Sequence, residues 1–440
     1  MWCVGRRTDG HCDGGSVMTG RARGASPIRR LRGMGGRLIR RAGLLPAGMA
    51  DGLGEDDELL GSSLPHTVMV FFADPPGSLY QLEQWYGALR ALDRRHRVVI
   101  VLQDSRVARA VRQDSGLDVI VVARYTTMDD LLSRSDVAVA LYVNHHPENF
   151  SNLRFASMVH ASLLHGDGDK AVTVSNLIKA YDVALVAGQA AVDRAAAFCT
   201  FYDAATRCIP IGRPPLDGHL SRVVGPRHRL AGEPPTVLYA PTWEGSAPSV
   251  GYGSLVTHGP ALVETLLTAG WDVSYRPHPL TGSRDRSHAV ADREIRARLS
   301  RAAKTGGHHR TDTGPDLQAA FAGADLLVCD ISSVAVDWLV VDRPLLITAP
   351  ARPEAVIART PLTALAPAVA ADDLRALPAL ALEQLERDPL RDRRRQLVEY
   401  YLGDVRDGAA TARFLAAVDR LLDIRDSERV RLAGRRVGRG

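Results

Sequence analysis

The sequence predicts an α/β protein built from two doubly wound, mostly parallel sheets. Three observations carry that expectation. Short apolar runs alternate with helix-patterned stretches from His66 onward, the alternation stops near Ile211 in a proline-rich stretch, and it restarts at Val237. Residues 67–73, 98–102, 119–122, 137–143, 159–164 and 183–186 read as buried strands, with helices at 79–92 and 189–198. The second series places strands at 237–240, 272–275, 326–329 and 345–347. Its helices fall at about 260–269 and 286–301, and closing helices lie near 372–387, 390–402 and 408–422. No fixed short period recurs, which argues against a solenoid.

The stretch 324–347 is the clearest single unit. Leu326 to Cys329 forms an apolar run closed by Asp330, and Ser332 and Ser333 follow. A helical pattern then puts Val336, Leu339 and Val340 on one face before Pro344 and a second apolar run. Strand, serine turn, helix and strand suit a parallel βαβ unit, whose helix starts beside the strand's carboxyl end, where open α/β sheets bind ligands. Ser332 is a natural N-cap, and exposed N–H groups behind it favour an anion, usually a phosphate. Helix capping alone is the plainer reading of the same two serines.

At 440 residues, with 45% hydrophobic and 24% charged residues, the chain has the size and composition of an ordinary two-domain globular protein. No apolar run approaches the roughly 20 residues of a membrane span, and arginines and glycines break up the first residues where a signal peptide would need an apolar core. Five cysteines without a CxxC pair fit a reduced, cytosolic compartment. Cys3, Cys12 and His11 fall short of a metal-ligand set.

The net charge of +5 is unevenly placed. Residues 1–50 carry ten arginines against Asp9 and Asp13, and residues 425–440 carry six against Asp426 and Glu428, so the body is acidic. That balance excludes a basic nucleic-acid binder. The expected organisation is a flexible basic arm (1–60), a first Rossmann-like domain (61–212), a linker (213–235), a second Rossmann-like domain with closing helices (236–424) and a basic tail (425–440). Within the arm, Leu31, Met34 and Leu38 would share a face of a basic amphipathic helix suited to anionic lipid. Gly33, Gly35 and Gly36 argue against that helix, and a disordered arm is the alternative.

Three loops of the second domain fall at strand carboxyl ends: PTWEG (241–245), RPHP (276–279) and DISS (330–333). In a parallel sheet those ends share one edge, so Thr242, Arg276, His278, Ser332 and Ser333 are expected to converge. A fixed cation, a titratable donor, hydroxyls and a helix N-terminus around one pocket suit a pyrophosphate. Any one of them alone is weak, since a lone His-Pro is commonly just a turn.

YAPTWEG, YRPHP, DISSVAVDW and the following RPLLI together resemble the signature of the CDP-glycerol glycerophosphotransferases, the teichoic-acid primases and polymerases. The segment YYLGDVRDGAATARFL (400–415) is similar to that family's closing segment. In the first domain, LLHGDGDK (163–170) is similar to its His-Gly-x-x-x-Lys loop, with Leu164 where the family usually has Trp, and Asp167 where it has Thr. Ile331 stands where Tyr is usual before the paired serines.

The resemblance implies a GT-B fold, two Rossmann-like domains facing across a cleft. It implies transfer of glycerol phosphate, or a related polyol phosphate, from a CDP-linked donor to a hydroxyl of a teichoic-acid-like or capsular polymer, with release of CMP. The attacking hydroxyl needs a base, and imidazole suits that task near neutral pH, which makes His165 the candidate. Lys170 would neutralise acceptor phosphate, or is a solvated lysine. Asp167 and Asp169 would orient His165, bind a metal, or simply be solvated. Arg276 and His278 would stabilise charge on the diphosphate, and Ser332 and Ser333 would bind phosphate. Asp330 and Asp337 are weaker candidates for substrate contact, and Thr242 and Trp243 for the base pocket. His145, His146 and Glu148 make a poor metal set, because adjacent histidines on an extended loop point apart.

No resident cofactor is expected, and no metal is assigned. The expected partners are the CDP-linked donor, a lipid-linked or polymeric acceptor and, through the arm, an anionic membrane surface. The expected location is cytoplasmic, peripheral to the inner face of the membrane. A GT-B glycosyltransferase using a CMP- or UDP-linked sugar, and a catalytically silent GT-B scaffold, are the competing readings.

Overall fold

The computed structural model describes residues 50–437 except 170–175, 219–223, 226, 228–231, 246–251, 315 and 351–359. Lys170 and the amphipathic stretch of the arm lie outside the described residues.

Two sheets, both wholly parallel, make up the body. The first contains β1 (Val68–Phe72), β2 (Val98–Leu102), β3 (Asp118–Val121), β4 (Val139–Tyr142), β5 (Val159–Ser162), β6 (Val183–Val186) and β7 (Cys208–Pro210). Their order is β3-β2-β1-β4-β5-β6-β7. The second contains β8 (Thr236–Ala240), β9 (Asp272–Tyr275), β10 (Arg310–Thr311), β11 (Leu326–Cys329), β12 (Leu345–Thr348) and β13 (Ala368–Val369), in the order β10-β9-β8-β11-β12-β13. Strands β1, β2, β4, β8, β9, β11 and β12 are buried along their whole length, because helices cover both faces of a parallel sheet. That is why they read as unbroken apolar runs.

In each sheet the strand order reverses once, at β1/β4 and at β8/β11. Loops that leave the carboxyl ends of strands on either side of such a reversal splay apart and open a crevice. Residues 74–80 leave β1, 143–148 leave β4, and 163–169 leave β5 in the first sheet. PTWEG leaves β8 and DISS leaves β11 in the second.

The helix expected at 79–92 is broken into a 3-10 turn, Pro76–Ser78, and the helices Tyr80–Glu83 and Tyr86–Asp93. The break lets Tyr80 and Trp85 face different surroundings. Trp85 is buried with Leu82, Leu89 and Leu92. Packed against them are Phe414, Val418 and Leu421, spaced to share one face of the closing helix Ala409–Val437. The last helix therefore belongs by packing to the first sheet, so the chain ends by strapping the second lobe back to the first. Each of those three side chains, fully buried, contributes about 1.5–3 kcal/mol.

The helix also runs on through the segment read as a basic tail. There Arg425 and Arg429 both pair with Asp136 of the first lobe. Residues 51–59, read as the end of a flexible arm, are ordered too. The Glu55 carboxylate accepts from the Val121 N–H at 3.0 Å, and Asp56 accepts from Arg124 N at 2.9 Å. Glu55 thus satisfies an N–H group at the exposed edge of β3, which would otherwise invite pairing with another chain, and Asp56 satisfies one at the start of the following helix Tyr125–Ser133.

Candidate active site

In the second lobe Asp330, at the end of β11, is fully buried. Its carboxylate accepts from Thr242 N at 2.7 Å, from Ser254 N at 3.2 Å and from the Thr348 hydroxyl. Burial raises its pKa above the ordinary carboxylate value, while the hydrogen bonds from Ser254, Thr348 and Thr242 pull it back. Asp330 therefore ties the ends of β8, β11 and β12 together, and the substrate contact expected of it is replaced by a structural role.

Ser332 occupies the N-cap position of the helix Ser333–Trp338 but makes no side-chain capping bond. Its Oγ is buried and has no hydrogen-bond partner among the described residues. A donor and acceptor left unused inside a protein is costly unless a ligand takes it up. That favours the phosphate-binding reading of Ser332 over simple capping.

The PTWEG and RPHP loops do meet. Trp243 stacks on His278 with ring centroids 6.1 Å apart and planes 21° from parallel. His278 Nδ1 accepts from the Leu280 N–H at 3.1 Å, so the neutral ring carries its proton on Nε2. Glu244 is buried, and its carboxylate accepts from Arg284 N at 2.7 Å and from Asp285 N and Gly282 N at 3.1 Å each. Burial opposes its charge, yet these backbone donors hold its pKa below the ordinary value.

Arg276 turns the other way. Its guanidinium pairs with Asp312 at 2.7 Å and donates to the Gly314 carbonyl at 2.8 Å, both beyond β10 at the far edge of the sheet. It anchors that loop and does not join the serine turn as expected. Asp337 is likewise withdrawn from substrate. Its carboxylate holds the Arg213 guanidinium through two bonds of 3.0 and 3.1 Å, with both side chains buried.

In the first lobe His165 follows Leu164, which has a left-handed backbone at φ +57°. A bulky residue rarely adopts that conformation, and here the indole N–H of Trp85 donates to the Leu164 carbonyl at 3.1 Å. Behind His165, Asp167 and Asp169 are buried on Arg194, which binds Asp169 at 2.9 Å and also Asp167. Tyr401 Oη donates to Asp169 at 2.5 Å. Neither aspartate is the solvated loop residue, or the metal ligand, weighed from sequence. Burial raises the pKa of Asp167, with Arg194 opposing. The backbone around His165 is therefore held from both sides.

The lobes touch where these loops meet. A Cβ added at Gly166 would lie 2.7 Å from Ser333 Oγ, and one at Gly168 would lie 2.9 Å from the Ser333 backbone nitrogen. Only glycine permits the HGDG loop to rest on the serine turn. Tyr80 contacts both histidines, edge to face with His165 at 6.1 Å and with His278 at 5.6 Å. Burial raises its phenol pKa.

Histidines from opposite lobes thus meet a single ring, and the paired serines lie against the loop that carries one of them. Of the five residues expected to converge, His278, Ser332 and Ser333 lie where the His165 loop meets the second lobe, Thr242 lies at the foot of the same loops, and Arg276 turns away; Asp330 and Asp337, the weaker candidates, serve the scaffold. Sequence reasoning missed Tyr80 and Arg213. Nothing in the spacing of either marked it, because each acts across the cleft.

The wall teichoic acid polymerase TagF superimposes with a TM-score of 0.53 at 13% identity, over 90% of this chain and 95% of that one. TagF in a CDPG soak gives 0.50 at 13%, over 90% and 97%. MnaA of S. aureus, solved with UDP, gives 0.52 at 11%, over 81% and 97%. At such identities the likeness concerns the fold, and the fold is GT-B. No protein of curated function is significantly similar in sequence. A family model described as CDP-glycerol:poly(glycerophosphate) glycerophosphotransferase matches residues 201–419, a span that holds PTWEG, RPHP, DISS and the closing segment in order. With those motifs seated on the carboxyl edge of a GT-B second lobe, the chain belongs to the CDP-glycerol:poly(glycerophosphate) glycerophosphotransferase family.

Proposed function

We propose that the chain transfers glycerol phosphate from CDP-glycerol to a terminal hydroxyl of a teichoic-acid-like polymer, releasing CMP. The acceptor oxygen attacks the phosphorus that bears glycerol. A new P–O bond forms as the bond to the bridging oxygen of CMP breaks, and the hydroxyl proton passes to the His165 imidazole. His278, protonated on Nε2, donates to the charge that builds on the transferred or departing phosphate. The unpartnered Ser332 hydroxyl supplies a further donor.

The observation that carries this reading is the approach of His165 and His278, from opposite lobes, to the same Tyr80 ring. A base and an electrophilic donor are needed on opposite sides of a phosphoryl group in flight, and a two-lobed cleft supplies them.

The test is CMP release from a panel of CDP-glycerol, CMP-sugar and UDP-sugar donors. Release from CDP-glycerol alone is expected, and transfer of a sugar alone would overturn the reading. His165→Ala and His278→Ala are each expected to abolish turnover, with CDP binding better preserved in the first. Unchanged polymer synthesis with both substitutions would favour the silent scaffold.

The acceptor of such a reaction is lipid-linked, so we place the enzyme at the cytoplasmic face of a membrane. No helix among the described residues is long and apolar enough to cross one. The ten arginines of residues 1–50 supply positive charge suited to anionic lipid. Deleting residues 1–49, which spares the ordered acidic segment on β3, is expected to weaken binding to anionic vesicles. Undiminished binding would dismiss the arm.

A further inference from the structure

We infer that Arg284 is the cation of the second lobe that receives a substrate phosphate, in the place sequence reasoning gave to Arg276. The inference rests on the transfer reading above and adds a binding residue to it. A phosphate entering a cleft between two imidazoles needs a fixed positive charge, and the arginines nearest the motifs are already neutralised. Arg276 is paired with Asp312, Arg213 with Asp337, and Arg194 with Asp167 and Asp169. Arg284 is exposed and has no carboxylate partner among the described residues.

Its position is nevertheless fixed. The guanidinium carbon lies 5.8 Å from the centroid of the Trp243 ring, and Trp243 in turn stacks on His278. The backbone beneath it is pinned by the three N–H bonds to the buried Glu244 carboxylate. Glu244 and Trp243 are neighbours in PTWEG, so one motif both anchors the turn that carries Arg284 and supplies the ring on which its guanidinium rests. A guanidinium over an indole keeps its in-plane N–H donors for a bidentate grip on phosphate oxygens. The chemistry recognised is a phosphate oxyanion, borne either by the donor's diphosphate or by the acceptor's terminal unit.

The full chain and its Arg284→Ala and Arg284→Lys variants distinguish these sources. Steady-state KM is measured for CDP-glycerol and for a poly(glycerol phosphate) acceptor, and CDP binding is measured by calorimetry. Arg284→Ala is expected to raise one KM by about 10–100-fold, the loss of one charge-assisted contact, with the melting temperature unchanged. Lysine is expected to restore only part, since it keeps the charge and loses the fork. A raised donor KM with weakened CDP binding assigns the donor diphosphate, whereas a rise confined to the acceptor assigns the acceptor phosphate.

Both KM values and CDP affinity within twofold of the parent, while His278→Ala abolishes turnover, would overturn the role of Arg284 and leave the transfer reading standing. Should the parent release no CMP from CDP-glycerol, the transfer reading fails. CDP affinity then decides alone, and equal binding by the parent and Arg284→Ala overturns the inference.

Discussion

Replacing Asp337 by alanine separates a structural from a substrate-binding role for that residue. Its carboxylate is 4% exposed and the Arg213 guanidinium it holds is 7% exposed. Two bonds, of 3.0 and 3.1 Å, join them. Without the carboxylate the guanidinium keeps a 3.3 Å contact to Gln84 Oε1, which carries no charge. Breaking a buried pair by removing one partner costs about 3–5 kcal/mol, because the remaining charge stays out of water unpaired. That is a large part of the stability of an ordinary domain. A melting temperature lower by several degrees is therefore expected in differential scanning fluorimetry. The donor KM of the protein that remains folded is expected to hold within twofold. Replacing both residues by apolar ones, Asp337→Leu with Arg213→Met, is expected to recover most of the loss, since the desolvation cost of both ions disappears with them. An unchanged melting temperature together with a tenfold rise in donor KM would refute the argument and return Asp337 to the substrate.

Three further outcomes test the site. Ser332→Ala removes a buried hydroxyl that has no partner among the described residues, so stability is expected to hold or rise slightly while the donor KM increases about tenfold; a clear fall in melting temperature would mean that the hydroxyl caps its helix after all. Gly168→Ala would press a methyl group to 2.9 Å from the Ser333 backbone nitrogen and displace the His165 loop. Misplacement of that order is expected to lower kcat about 100-fold, and a near-normal rate would show that the loop does not rest on the serine turn during catalysis. His145 has its pKa lowered from 6.5 to about 4 by burial. Its contribution is thus fully present above pH 6.5 and is lost as pH falls toward 4. Between those values the unfolded chain binds more protons than the folded one, so stability rises with pH there, by on the order of 2–3 kcal/mol across the window. His145→Phe is expected to flatten that part of a denaturation-midpoint-against-pH profile, and an unaltered slope would place the titration elsewhere.

The strands were readable because a parallel sheet covered on both faces demands apolar side chains at every position, and such runs survive without context. Strands β7, β10 and β13 were not, since two or three residues at or near an edge carry no period, and Pro210 even argues against one. The ordering of residues 51–59 was hidden for a related reason. Composition marks an acidic run as solvated, and only the open edge of β3 and the start of the helix after it turn Glu55 and Asp56 into partners for N–H groups.

The site divides along the same line. Which loops meet follows from strand order alone, and so His165, His278, Ser332 and Ser333 could be expected together. Which charges remain for substrate depends on pairing between distant segments. Arg276 and Arg284 stand eight positions apart around the same HP turn, and by residue type the first is the better candidate because it begins the motif. Asp312 decides otherwise, by neutralising Arg276 at the outer edge of the sheet. Asp337 sits on the catalytic-looking helix, yet Arg213, 124 positions away, claims it. In a chain this rich in arginine, a motif arginine or aspartate is first a candidate for the opposite charge within the fold. On the proposed reading, the groups that reach substrate at this cleft are an imidazole from each lobe, the buried Ser332 hydroxyl and the guanidinium resting on Trp243.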